Sequence, residues 1–175
     1  MEGRFAGRVV IVTGGASGIG AATARAFAAD GARVVVADVD GERGREVAVA
    51  VGGVFESVDV GDAAAVHALA ERTVAAFRRI DVLVSNAFAT SLGPIERFTL
   101  EAWTRTLEVT LTAAFTGLRA VVPVMRAQGG GAVVNVASIS GLGGDRGLAA
   151  YNAAKAGMIN LTRTAALSWP RRASA

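Results

Sequence analysis

Tyr151 is the only tyrosine in the chain, and it stands four residues before Lys155, the only lysine. The other seventeen basic residues are arginine, which points to a coding bias that this one lysine has escaped. Arginine is a planar fork that stays charged, whereas lysine carries a compact ammonium with rotatable donors and a tunable pKa. A spacing of four on a helix puts both side chains on one face, within reach of each other. A phenol, whose ordinary pKa is about 10, becomes a usable proton donor or acceptor near neutral pH beside an ammonium. The pair by itself also fits a plain helix carrying a buried tyrosine and a solvated lysine.

Proton transfer needs a scaffold, and the chain alternates short β-branched runs with longer helical stretches. Strands are predicted at Arg8–Thr13, Arg33–Asp38, Gly53–Asp59, Asp81–Ser85 and Gly131–Ser138. Helices are predicted at Ile19–Asp30, Gly41–Val51, Asp62–Arg78, Leu100–Ala127 and Leu148–Trp169, with Thr99 as the N-cap of the fourth. Continuous apolar strands separated by helices imply a parallel sheet covered on both faces. No linker or repeat divides the chain, so residues 1–175 are read as one doubly wound, Rossmann-like α/β domain with five strands.

Composition narrows the chemistry. Apolar residues make up 52% and charged residues 19%, a globular balance. The chain has no cysteine, which excludes thiolate metal sites and cysteine nucleophiles, and one histidine, His67, which cannot build a histidine-rich metal site. His67 sits in an alanine-rich helical stretch and is read as a surface residue. The isoelectric point is near 10.5, yet net charge is only +3 and the arginines are scattered. Without a basic stripe or clustered aromatics, nucleic-acid binding is not expected. The first residues lack a secretory pattern, and no uninterrupted apolar run approaches the about 20 residues of a membrane span. The expectation is a cytoplasmic protein without a membrane partner.

Thr13-Gly14-Gly15-Ala16-Ser17-Gly18-Ile19-Gly20 joins the first strand to the first helix. Glycines there permit a tight turn and let backbone approach a pyrophosphate, and the helix N-terminus offers free N–H donors. Asp38 ends the second strand at the distance expected of a carboxylate that grips a ribose 2′-hydroxyl. It would repel a 2′-phosphate, and neither Ala16 nor Val39 is an arginine that would welcome one. NAD is therefore expected over NADP. The other reading of Asp38 is a strand-ending acid that serves a turn.

Thr13 to Gly20, Asn86-Ala87, and Ser138 thirteen residues before Tyr151-Asn152-Ala153-Ala154-Lys155 together resemble the short-chain dehydrogenase/reductase family. The resemblance runs from Phe5 to about Leu167. It implies an NAD-dependent oxidoreductase that interconverts a secondary alcohol and a ketone, with a small-molecule substrate. Tyr151 is then the general acid or base. Lys155 lowers the Tyr151 pKa and bonds the nicotinamide ribose, and Ser138 holds the substrate oxygen. A strand-end serine bonding its own backbone is the alternative for Ser138. The likeness also puts Asp59 and Val60 at the adenine side, gives Asn86 a mainly structural role, and implies a homo-oligomer through the fourth and last helices.

Three departures from the family pattern stand out. Thr110 occupies the place of a catalytic asparagine, which implies a weakened proton relay. Phe88 replaces a glycine, and is costly if the turn needs a positive φ. The family also runs on through a sixth strand, a substrate-covering segment and a seventh strand, which implies that this chain is C-terminally incomplete. The ending Trp169-Pro170-Arg171-Arg172-Ala173-Ser174-Ala175 suggests why. One GC-rich back-translation, TGG CCC CGC CGG GCA TCC GC, shifted by two bases reads Ala-Pro-Pro-Gly-Ile-Arg, so a frameshift near codon 169 is expected. The fifth strand is then expected to be an exposed apolar edge that limits solubility. The alternative reading of the whole is an inactive fragment that at most binds nucleotide.

Overall fold

A computed structural model describes residues 3–169. The tail after Trp169, where the change of reading frame is expected, lies outside the described residues.

Alternating β-branched and apolar residues build five strands: β1 (Val9–Thr13), β2 (Arg33–Asp38), β3 (Val54–Ser57), β4 (Val82–Ser85) and β5 (Ala132–Asn135). All pairs are parallel, in the order β3-β2-β1-β4-β5. Successive side chains point to opposite faces of a strand. Ile11, Val35 and Leu83 accordingly belong to one core, and Val10, Val12, Val34, Val36, Val82 and Val84 to the other. Helices α3 (Ala63–Phe77) and α5 (Ala113–Ala127) cover the first face; α1 (Gly18–Ala29) and α2 (Gly41–Ala50) cover the second.

Local chemistry sets the helix starts. Asp40 Oδ1 accepts from the Arg43 N–H at 3.1 Å, Asp62 Oδ1 from the Ala64 N–H at 2.8 Å, and Thr99 Oγ1 from the Ala102 N–H at 3.1 Å. The Thr99 cap is thus as expected. His67 lies beside Glu71 with its side chain 67% exposed, in keeping with a surface role.

Two expectations need revision. The predicted helix Leu100–Ala127 is interrupted: α4 (Leu100–Leu107) runs into a π turn at Glu108–Thr112 before α5 begins. Its 28 residues, with a mean hydropathy of 1.4 in the most apolar stretch, also have the length and composition of a membrane span. The apolarity has a plain cause, because Val109, Ala114, Leu118, Val121 and Met125 are buried in this fold. The predicted fifth strand is also too long. β5 ends at Asn135, and Val136 adds one ladder bond, to the Ser85 carbonyl, before the chain turns away.

Helix α6 (Ala149–Ser168) packs against α4, the π turn and β5. Among the described residues β5 is an edge strand, and Val134 is 48% exposed there. A groove of about 690 Å³ lined by Leu118, Val133, Asn135, Thr162 and Trp169 runs beside it.

Candidate active site

Strand order reverses between β1 and β4, whose following segments leave for opposite faces of the parallel sheet and leave a crevice outside the strands' carboxyl ends. Thr13 closes the back of that crevice. Its hydroxyl donates to the Val84 carbonyl at 3.3 Å and accepts from the Asn86 and Ala87 N–H groups at 3.1 and 3.3 Å. Asn86 Nδ2 donates to the Thr13 and Gly14 carbonyls at 3.1 and 3.0 Å, stitching the β4 end to the glycine-rich turn. The structural role expected of Asn86 is what its bonds describe.

Gly14 is in the left-handed region at φ 63°, and a Cβ there would come within 2.8 Å of the Ala87 Cα. Gly18, at φ 50°, has open space where a Cβ would project. Ser17 caps α1 by position alone, without a side-chain bond, and no acid stands in the first turn. The α1 N-terminus therefore presents its dipole and free N–H groups to a cradle cleared of side chains, which suits a phosphate.

A cleft of about 350 Å³ opens above this turn. Gly14, Ser17, Gly18, Ile19, Asp38, Asp59, Val60 and Asn86 all line it. Thr13 and Gly20 stand behind the lining, both buried. Asp38 Oδ2 accepts from the Ala16 N–H at 2.9 Å and Oδ1 from the Asp40 N–H at 3.0 Å. The turn-bracing reading of Asp38 is thus present, and about half of its roughly four lone-pair sites stay unspent. The residues present fit a dinucleotide, with a cradle for the phosphates and the Asp38 carboxylate lining the same cleft.

Phe88 carries the cleft towards the tyrosine. It lines the cleft wall, and its ring meets the Tyr151 ring edge-on at 5.9 Å. The positive φ that would have strained Phe88 does not arise: Arg78, which ends α3, is the one non-glycine residue with positive φ among those described. On its own helix face Tyr151 has the expected neighbour, with Lys155 Nζ 5.6 Å from its ring centroid.

Lys155 is not the solvated lysine of the plain reading, being only 2% exposed. Burial lowers its pKa from 10.5 to about 8. Its ammonium donates to the Val136 carbonyl at 2.5 Å and lies 3.9 Å from Met158 Sδ. Ser138 follows β5 in extended conformation, and its Oγ accepts from the Ser140 N–H at 3.1 Å. The alternative foreseen for Ser138 is therefore present, and the hydroxyl proton remains to be donated elsewhere. A Cβ on Gly141 would lie 2.8 Å from the Lys155 carbonyl carbon, so this glycine lets the Ser138 turn settle directly on α6.

Thr110 is fully buried in the π turn. Its hydroxyl accepts from the Ala89 N–H and donates to the Ala89 carbonyl, each at 3.1 Å, anchoring the segment after β4. Such π turns are frequent at functional sites.

The one charged cleft residue to escape the sequence reading is Arg105. Arg105 donates from Nη2 to both Asp59 oxygens at 2.9 Å. Its spacing of four from Val109, which lines the same cleft, was the available signal.

Comparison with known proteins agrees with this arrangement. A family model described as short chain dehydrogenase matches residues 8–173. A 3-alpha-(or 20-beta)-hydroxysteroid dehydrogenase of Mycobacterium tuberculosis is 40% identical over 169 residues, 95% of this chain and 65% of that protein. A cis-4-hydroxycyclohexanecarboxylate dehydrogenase of Sinomonas cyclohexanicum is 44% identical over 94% of this chain and 68% of its own length. The crystal structure of levodione reductase superposes with a TM-score of 0.91 at 37% identity, over 95% of this chain and 67% of that one. The chain thus spans about two thirds of such relatives' length. A five-stranded parallel sheet, a glycine turn backed by Asn86 and a tyrosine beside a buried lysine are what this match covers, and the chain belongs to the short chain dehydrogenase family.

Proposed function

We propose that this chain carries the nucleotide-binding and proton-transfer parts of an NAD-dependent oxidoreductase that interconverts a secondary alcohol and a ketone. The observation that carries the reading is the continuity of one surface. The wall of the cleft that begins at Gly14 and Asp38 ends at Phe88, whose ring touches Tyr151. A nicotinamide bound there supplies the hydride acceptor for alcohol oxidation. In that direction Tyr151 takes the hydroxyl proton as the carbon–hydrogen bond breaks, and in reduction it returns the proton to the carbonyl oxygen. Lys155 holds its ammonium beside the Tyr151 ring, and Ser138 donates its free hydroxyl proton to the substrate oxygen. Asp38 accepts from the ribose hydroxyls, and its charge disfavours a 2′-phosphate, so NAD is the cofactor. Asp59 and Val60 face the adenine.

The relatives' printed names point to alcohols carried on rings, a hydroxysteroid and a hydroxycyclohexanecarboxylate. A cyclic secondary alcohol is accordingly the substrate class proposed here, with the aromatic wall of Phe88 in support. That those relatives are named dehydrogenases weighs against the reading as an inactive nucleotide binder. A shallow apolar groove between α5 and α6, lined by Phe115, Val122, Pro123 and Leu161, is the proposed contact between subunits.

Calorimetry with NAD and NADP, on the wild type and Asp38→Ala, tests the cofactor half, followed by NADH absorbance with cyclohexanol and 2-butanol. Wild-type binding of NAD that Asp38→Ala weakens about tenfold, the size of one hydrogen bond to a charged group, is expected. Equal binding of NADP, or no binding of either, overturns the proposal.

A further inference from the structure

Between Ser138 and Tyr151 the chain passes through residues 141–147, Gly-Leu-Gly-Gly-Asp-Arg-Gly. Glycine loses more conformational freedom on ordering than any other residue, so such a segment keeps one shape only if something ties it down. Packing does little of this: a Cβ on Gly143 or Gly144 would meet nothing within 4 Å, and Leu142 is 77% exposed. The far end is pinned by backbone, with the Gly93 N–H donating to the Gly147 carbonyl at 3.1 Å and the Leu148 N–H to the Asp145 carbonyl at 3.3 Å. The middle is pinned by a side chain of α6. With its amide oriented to satisfy both ends, Asn152 Oδ1 accepts from the Asp145 N–H at 2.5 Å, and Nδ2 donates to Asp145 Oδ2 at 3.3 Å. Among the described residues, no other side chain reaches into residues 141–147 with a hydrogen bond.

We infer that Asn152 is a positioning residue for the substrate: its clamp on Asp145 holds the glycine-rich segment in one shape at the start of α6, next to Tyr151, before the alcohol arrives. The inference rests on the oxidoreductase reading above and deepens it. The clamped segment is joined through Gly147 and Gly93 to the stretch after β4, whose Phe88 ring touches Tyr151. A substrate mouth built from these two loops is pre-shaped only while residues 141–147 stay down. Ser138 does not depend on the clamp, because its bond from the Ser140 N–H and the seat of Gly141 on α6 fix the near end of the segment. Nor does Lys155, which is tied to Val136. Without Asn152 the glycines regain their freedom, and each substrate molecule must order them again. That weakens binding and leaves the bound complex to react as before. The plain alternative is that Asn152 only completes the start of α6, since Leu148 at its N-cap makes no side-chain bond.

The test is steady-state NADH formation from cyclohexanol at saturating NAD, with NAD calorimetry and amide hydrogen exchange alongside. Wild type, Asn152→Ala, Asn152→Asp and the double exchange Asn152→Asp with Asp145→Asn are compared. Both single variants should raise KM about fivefold, the net effect of one hydrogen bond, with kcat and NAD affinity held within about twofold. The double exchange should return KM to within about twofold of wild type, because the amide at position 145 then donates to the carboxylate at position 152. Hydrogen exchange at the Asp145 amide should quicken about fivefold in Asn152→Ala, while β1 is unaffected. A joint loss of kcat and NAD affinity would make Asn152 part of the helix start alone and overturn the inference. An unchanged KM, an unchanged Asp145 amide or a double exchange that restores nothing would overturn it equally. A wild type that binds NAD but oxidises no cyclic alcohol is a different result, which removes the alcohol reading and this inference with it.

Discussion

Lys155 Nζ donates to the carbonyl of Val136 at 2.5 Å, tying the middle of α6 to the end of the fifth strand. The bond places a charge where water does not reach, and burial brings the lysine pKa down to about 8. Unfolded lysine titrates near 10.5, so between pH 8 and 10.5 the unfolded chain binds more protons than the folded one. Stability should therefore rise with pH across that window, by about 3 kcal/mol for a shift of this size. Below pH 8 lysine is charged in both states and the desolvation cost is constant. Urea unfolding at several pH values measures the rise, and Lys155→Met should flatten it.

Asp81 also makes stability rise with pH, but in an acid window and through favourable contacts instead of burial. It is 5% exposed, and burial alone would raise its pKa. Arg79, the Val9 N–H and Arg8 outweigh that effect and hold it at about 2. The carboxylate contributes stability that is fully present above the unfolded value near 3.9, and is lost as pH falls through about 2. The loss is about 2 kcal/mol. Acid titration of stability should show this step in the wild type, and Asp81→Asn should lack it while being less stable at neutral pH.

Thr110 closes a two-bond link to Ala89 inside the core. Thr110→Val keeps the shape but leaves the Ala89 N–H and carbonyl without their partner. Unpaired buried groups cost about 1–3 kcal/mol each, so a loss of at least about 2 kcal/mol is expected in chemical denaturation. Thr110→Ser, which keeps the hydroxyl, should lose less than half as much. Equal loss in the two would show that the methyl and not the hydroxyl is what matters.

Phe88 should discriminate among substrates more than it supports the fold, since it is 58% exposed. Aromatic packing is worth about 0.5–1.5 kcal/mol beyond area, or a few-fold to about tenfold. Phe88→Ala should lower kcat/KM for cyclohexanol by about that factor relative to 2-butanol, with NAD affinity held within about twofold. A uniform loss on both alcohols would instead mean that Phe88 serves Tyr151 alone.

What could be read from the sequence divides by distance along the chain. The β1 turn, the Thr99 cap and the pairing of Tyr151 with Lys155 rest on neighbours within eight residues, and local periodicity announces them. The π turn does not announce itself, because its cause is a bond from Thr110 to Ala89, twenty-one residues away. The Asp59–Arg105 pair spans forty-six residues and the Lys155–Val136 bond nineteen, so neither partner marks the other. Even β5 was misjudged by its neighbours, since Val136 and Ala137 read as strand while the turn that carries Ser138 to α6 had already begun.

A chain with a single lysine also has a single site for a protease that cuts only after lysine, and the fold hides that site in the middle of α6. Such an enzyme would read local opening of this helix as one clean cleavage, between residues 155 and 156, against an otherwise silent background. The rate of that one cut, with and without NAD, would follow how often α6 lets go of the sheet.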